Sequence, residues 1–566
     1  MRCRLASRHF LGITLALSVA SPSRAFAVPS LRSFFRRSCP ASSQGATKRW
    51  MCSSAPASTD VLSTYNELAA KLKKTAALEG AMGLLGWDEQ TMMPTGAEEA
   101  RGQQKAVLAG VLHESKTDPA VGQLLKKLDP SSSDLDPYQA ATVRIAKERY
   151  EQNVRMSSEL ASKAAELTSK AYGAWTRARA EADFKGFAPL LAEVFELTRE
   201  INAVTKPDLP VYDAAIDSFD PKMKSERITE IFDEVKSHLT PLIAEIAAKV
   251  EADPSLHEVP KALQGGVDWD PTKQAEMCKE IAEAIGFDFK RGRMDVSVHP
   301  FTGGSHMTDV RITTRYSSDN WIEGVAGTIH ECGHAMYEQG RPKAYSDLPV
   351  SESLGMATHE SQSLLWERMV GQSLPFWKWA TPIVHKYFPH TKDVTAEQFY
   401  RFHNIVKPSL IRVDADEVTY PLHVILRFEI ERGVLDGSTK VEDLPELWDS
   451  KMKEYLGVVP PSTKEGVLQD VHWPSGAIGY FPSYTLGAMM ATQIYEAAQH
   501  EIPDLDAKIE EGNFLELRDW LNKRVHAQGS RHESADDLLE EVTGKRLDPT
   551  VFVSYLKNKY SAIYGL

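Results

Sequence analysis

From Asp60 onward, apolar residues recur three or four positions apart with charged residues between them. The segments "VLSTYNELAAKLKKTAALEGAMGLLGW", "ERITEIFDEVKSHLTPLIAEIAAKV" and "TKQAEMCKEIAEAIGF" show this most clearly. Such spacing predicts amphipathic helices, each with one stripe turned to a core. Turn-prone stretches such as "KLDPSSSDLDP", "KPDLPVYD" and "VEADPSLHEVP" separate them, but none is long or biased enough to act as a flexible linker. With no internal repeat, the pattern predicts a single, mainly α domain over residues 60–566. One region breaks the helical period. "MDVSVHP" and "MTDVRITTRY" alternate apolar and polar residues, and "FTGGSH" between them has turn chemistry, so a β-hairpin is expected there.

The first 59 residues have a different composition. They hold nine Lys or Arg and no Asp or Glu, with an apolar run from Phe10 to Ala20. This predicts a cleavable targeting presequence over residues 1–59, addressed to a plastid or a mitochondrion, with the secretory pathway as the alternative. The remainder carries 56 basic against 78 acidic residues. An acidic body of that kind repels phosphate backbones and argues against a nucleic-acid partner. No later stretch reaches the roughly 20 apolar residues needed to cross a bilayer, which argues against a membrane partner. Only Cys278 and Cys332 lie beyond the leader, too few for a disulfide framework.

The strongest chemical signal is "HECGH" within "NWIEGVAGTIHECGHAMYEQG". His330 and His334 stand four residues apart on a segment of helical spacing, so both imidazoles leave one face about one turn apart and can share a zinc ion. Glu331, beside the first ligand, can then act as general base towards a metal-bound water. Asp319 or Asn320 can cap this helix and Gly340 can end it. A catalytic zinc needs a third protein ligand. The next helix candidate, "SESLGMATHESQSLLWERMVG", offers Glu360, with His359 as the fallback ligand or as a partner behind the ligands.

Seven ordered segments extend the match: "WDEQTMMPTGAEEAR", "HPF", "DVRIT", "HECGH", "HESQS", "IRVDADE" and "GVLQDVHW". With them the chain resembles the Taq-type metallocarboxypeptidases, the thermostable carboxypeptidase 1 family, from about Leu62 to Leu566. The resemblance implies a large saddle-like helical subunit, usually a homodimer, with a deep groove and the metal at its base. It implies His330, His334 and Glu360 as ligands and Glu331 as catalytic base, with cobalt replacing zinc in some relatives. The activity implied is release of single residues from the free C-terminus of peptides.

Carboxypeptidase action makes its own demand, because a terminal carboxylate is best recognised by a bidentate arginine. Arg412, amid Asp414, Asp416 and Glu417, is either held in a structural ion pair or oriented for a ligand, and the resemblance favours the ligand role. Arg311 could do the same or be paired at the surface. His299 is a pocket-lining candidate. In "QDVHWPSGAIGYFPSY", His472 and Tyr480 can donate to the oxygen that gains charge during hydrolysis. Packing of an aromatic turn accounts for that segment equally well. A different zinc peptidase, such as a peptidyl-dipeptidase, and a helical scaffold that has lost catalysis remain as alternative readings.

Overall fold

A computed structural model describes residues 59–264 and 269–566; the expected presequence lies outside the described residues. The expectation of a mainly α protein holds: among the described residues there are twenty α-helices and one three-stranded sheet. No helix among them is long and apolar enough to cross a membrane. One large apolar core runs from Ala171 to Tyr564, and a smaller one ties the N-terminal helices to Leu348 and Val350.

The sheet departs from the hairpin expected. Its strands are β1 (Gly292–Val296), β2 (Thr302–His306) and β3 (Asp309–Thr314), in the order β1-β3-β2. β2 and β3 pair antiparallel, whereas β1 runs parallel to β3. The stretch read as a turn, "FTGGSH", is therefore largely a strand. The helix Thr59–Thr91 lies so close to β2 that a Cβ on Gly83 would stand 2.5 Å from the Gly304 carbonyl oxygen. Gly304 itself has φ +130°, a conformation that side chains other than glycine rarely adopt.

Three helices position the site. The first, the motif helix Trp321–Gly340, is buried on almost every side. It is anchored at its start by Trp321, whose ring stacks on Trp269 with centroids 4.7 Å apart. Asn320 occupies the cap position without a side-chain capping bond. The helix ends at Gly340 as expected, although for a different reason. A Cβ on Gly340 would come within 2.6 Å of Asn522 Nδ2, so the glycine permits close packing.

The second helix, Met356–Leu364, runs on into a π-helical turn, Leu365–Gly371. Its first amides are satisfied by the Phe219 carbonyl and the Asp220 carboxylate. Such wide turns are rare and collect at functional sites. The third helix, Phe481–Glu501, passes through the core with nearly its whole length buried.

Candidate active site and metal centre

Two glycines bring these helices together. A Cβ on Gly333, one residue before His334, would lie 2.5 Å from the Gln362 carbonyl oxygen and 2.6 Å from Ser363 Cα. A Cβ on Gly487 would lie 2.8 Å from Glu360 Cβ. Because neither side chain exists, the Met356–Leu364 helix packs directly on the motif helix at Gly333 and on the Phe481–Glu501 helix at Gly487, beside Glu360. Donor atoms of His330, His334 and Glu360 all lie within 4.8 Å of one another. Glu360 Oε2 stands 3.4 Å from His334 Nε2 and 4.0 Å from His330 Nε2.

Hydrogen bonds behind the rings set their tautomers. His330 Nδ1 lies 2.7 Å from Glu367 Oε2. A carboxylate only accepts, so Nδ1 carries a proton, and in the neutral ring it is Nε2 whose lone pair faces the centre. His334 Nδ1 lies 3.1 Å from the His359 carbonyl oxygen, which fixes the same tautomer. His359 Nδ1 can then accept from His334 at 2.6 Å, while its Nε2 donates to Glu338 Oε1 at 3.1 Å. Glu338 is in turn paired with Arg341. His359 thus stands behind His334, and Glu360 completes the set of three donors.

The charges fit a cation. Burial opposes a charge on His330, but the Glu367 hydrogen bond and the carboxylates of Glu360, Glu367 and Glu331 outweigh it and lift its pKa to about 9. Burial dominates at His334 and lowers its pKa to about 4. Burial likewise works against the Glu360 carboxylate, yet its histidine neighbours hold it down at about 2. Three converging donors amid an excess of carboxylates suit a divalent ion. Glu331 is 6% exposed, and burial raises its pKa. Its Oε2 accepts from the Thr302 hydroxyl at 2.6 Å.

This cluster lies in a groove of about 2060 Å³. His299, Arg412 and Tyr480 also line it, together with Tyr420 and Tyr484. Arg412 is held from behind: Nε and Nη2 donate to Asp470 Oδ1 at 3.0 and 2.9 Å, and Nη1 donates to the Tyr420 hydroxyl at 2.9 Å. Asp470 also pairs with the buried Arg427. Two expected residues are placed elsewhere. Arg311 lies outside the groove lining and is paired with Asp309 at 2.8 Å. His472 is 1% exposed and lies behind the wall, with Nε2 3.0 Å from the Tyr484 hydroxyl.

Sequence reasoning passed over Glu367, Arg368, Thr302, Tyr420 and Tyr484. For Glu367 a signal existed, because seven residues beyond Glu360 is two helical turns on the same face. Thr302 had none, since its contact with Glu331 depends on how β2 is set against the motif helix.

A largely helical fold that gathers two histidines of one HExxH helix and a glutamate of the next, in the lining of a groove, defines a metallopeptidase. Residues 67–560 match the family described as carboxypeptidase Taq (M32) metallopeptidase. The chain is 39% identical over 513 residues to thermostable carboxypeptidase 1 of Thermus thermophilus, covering 88% of this chain and 99% of that protein. It is 36% identical to carboxypeptidase 1 of Bacillus subtilis, covering 88% and 97% respectively. The crystal structure of the M32 carboxypeptidase from Deinococcus radiodurans R1 superposes with a TM-score of 0.85 at 36% identity, covering 89% of this chain and 100% of that one. The chain belongs to the M32 metallocarboxypeptidase family and is a peptide hydrolase.

Proposed function

We propose that the protein is a zinc-dependent carboxypeptidase that releases single residues from the free C-terminus of peptides, with broad side-chain preference. The observation that carries this reading is one groove holding both the three-donor cluster with Glu331 beside it and the buried guanidinium of Arg412. His330 Nε2, His334 Nε2 and a Glu360 oxygen would hold the ion, with cobalt as a possible substitute. When bound, zinc supplies Lewis acidity towards water and the scissile carbonyl.

The chain's own groups then have defined tasks. Thr302 engages Glu331 Oε2, which leaves Oε1 to take a proton from the attacking water and return it to the leaving amine. Arg412 has three donors committed to Asp470 and Tyr420. The rest of its five are available to the substrate's terminal carboxylate. Tyr480 lines the groove as a donor for the developing oxyanion, and His472 acts indirectly, by holding the Tyr484 hydroxyl. His299 lines the pocket, while the pairing of Arg311 with Asp309 supports a structural role.

The reading extends to assembly and compartment. A homodimer agrees with the exposed Val107 and Val111, one turn apart on the helix Glu98–Lys116, and gel filtration with light scattering tests it. Import into a plastid or mitochondrion follows from the basic leader, and a fluorescent fusion of residues 1–59 tests that.

The deciding experiment incubates the zinc-loaded protein with a free-acid peptide and its C-terminally amidated twin, followed by mass spectrometry. A ladder shortened by single residues from the free acid, with the amide spared, is expected. Removal of dipeptides or internal cuts would overturn the carboxypeptidase reading while keeping the metal chemistry.

A further inference from the structure

The groove floor holds a guanidinium that none of the roles above uses. Arg368, in the π-helical turn Leu365–Gly371, lines the groove and is 6% exposed. Its Nη1 has no hydrogen-bond partner among the described residues. Instead the guanidinium lies over the ring of Tyr420, 5.1 Å from the centroid. That ring is shared, because Arg412 lies 5.8 Å from the same centroid and donates to the Tyr420 hydroxyl. Two buried arginines therefore meet at one tyrosine in the floor. Arg412 is bound to Asp470, whereas Arg368 takes part in no ion pair among the described residues.

An arginine buried without a matching acceptor is costly, and a structural arginine normally finds one. The carboxylates of Glu367, Glu417 and Glu360 act on Arg368 only through space. They stabilise its charge against burial but leave Nη1 without an acceptor among the described residues. Arg368 still reaches the groove lining, so a ligand in the groove can meet the guanidinium, and an anionic one suits its charge. For a peptide hydrolase, such a ligand is a substrate carboxylate, whose two oxygens suit the planar fork of a guanidinium.

We propose that Arg368 is a second carboxylate-recognition residue of the substrate groove and sets specificity together with Arg412. This rests on the reading of the groove as a peptide-binding site. The carboxylate has two sources, the α-carboxylate of the substrate or the side chain of an Asp or Glu at its end. The contact is charge-assisted and desolvated, so its loss should cost roughly 10–100-fold in affinity.

Two free-acid peptides that differ only in a terminal Gln or Glu separate the sources. Steady-state kinetics compare the natural protein with Arg368→Gln and Arg368→Lys, with metal content and melting temperature measured on each. Arg368→Gln is expected to keep its metal and lower kcat/KM mainly through KM, with partial rescue by Lys. A loss on both peptides assigns the α-carboxylate, and a loss on the Glu-terminated peptide alone assigns the side chain. Calorimetric binding of both peptides to the Glu331→Gln protein, with and without Arg368→Gln, reads the contact without turnover. If the enzyme cuts elsewhere in the chain, the carboxypeptidase reading falls and this binding comparison still decides the role of Arg368. Kinetics and binding of Arg368→Gln within twofold of the natural protein on both peptides would overturn the proposal. So would a loss that always accompanies loss of metal or melting temperature and is not eased by Lys.

Discussion

Nδ1 of His330 lies 2.7 Å from Oε2 of Glu367, on the same helical segment as Glu360 and two turns further on. One segment therefore supplies both a donor of the metal cluster and the acceptor that orients another. Replacing Glu367 by Ala frees the His330 ring to rotate and to change tautomer. Metal affinity is expected to fall roughly 10–100-fold, measured by competition with a chromophoric chelator, and Glu367→Gln should retain part of it. Unchanged affinity in the Ala variant would remove Glu367 from the metal's support.

Glu331 makes no contribution to the three-donor cluster. Glu331→Gln should keep one metal per chain and lower kcat roughly 10²–10⁴-fold, the usual contribution of a positioned base. Loss of metal in that variant, seen by elemental analysis, would mean that the ligands are wrongly assigned.

Gly333 and Gly487 leave no room for a methyl group. Gly333→Ala should force the motif helix and the Met356–Leu364 helix apart, because the obstacle is backbone rather than a mobile side chain. A loss of about 1–3 kcal/mol is expected. Weakened metal binding should accompany it, since Glu360 is drawn away from the histidines. A variant with normal melting temperature and metal affinity would show that the helices can adjust.

Burial of Glu431 pushes its pKa up to about 7, against three hydrogen bonds from Tyr212, Trp473 and the Gly479 amide that pull it down. Its folded pKa therefore stands above the value near 4.3 of an exposed glutamate. Below about pH 4 both states hold the proton and no penalty arises. As the pH rises towards 7 the unfolded chain loses that proton first, so stability falls, and above 7 the penalty is constant. Over this window the natural protein should lose about 3 kcal/mol more than Glu431→Gln. Melting temperatures of the two proteins at pH 5 and pH 7.5 test this, and parallel curves would refute it.

Extraction of the metal with a chelator should abolish hydrolysis and lower the melting temperature, because the ion binds only the folded arrangement of donors. Zinc, and also cobalt, should restore both. Full stability without the ion would mean that the carboxylates of the floor are balanced by other groups.

Much of the site could be read along the chain, because its elements are local. The four-residue spacing of His330 and His334 needs only a helix to put both rings on one face, and "HESQS" on the next helix supplied Glu360. The hairpin was misread for a physical reason. Gly303 and Gly304 look like turn residues, but they sit in a strand: a Cβ on Gly304 would stand 2.1 Å from the Asp309 carbonyl oxygen of β3, and it is Gly80 and Gly83 of the helix Thr59–Thr91 that let the helix lie on β2. In sequence Arg412 was the favoured carboxylate binder, and for Arg311 surface pairing was an equally good account. Folding separates them, holding Arg412 in the groove wall through Asp470, 58 residues away, and pairing Arg311 with its near neighbour Asp309.

The sequence by itself determined the helical period, the metal-binding pattern and the residues able to carry the chemistry, since each depends on spacing within one element. Only the tertiary structure decided which side chains meet. Glu367 behind His330, Thr302 on Glu331 and the Arg368 guanidinium over the ring of Tyr420 arise where separate elements pack together. The glycines that allow this packing leave no side-chain pattern of their own to be read.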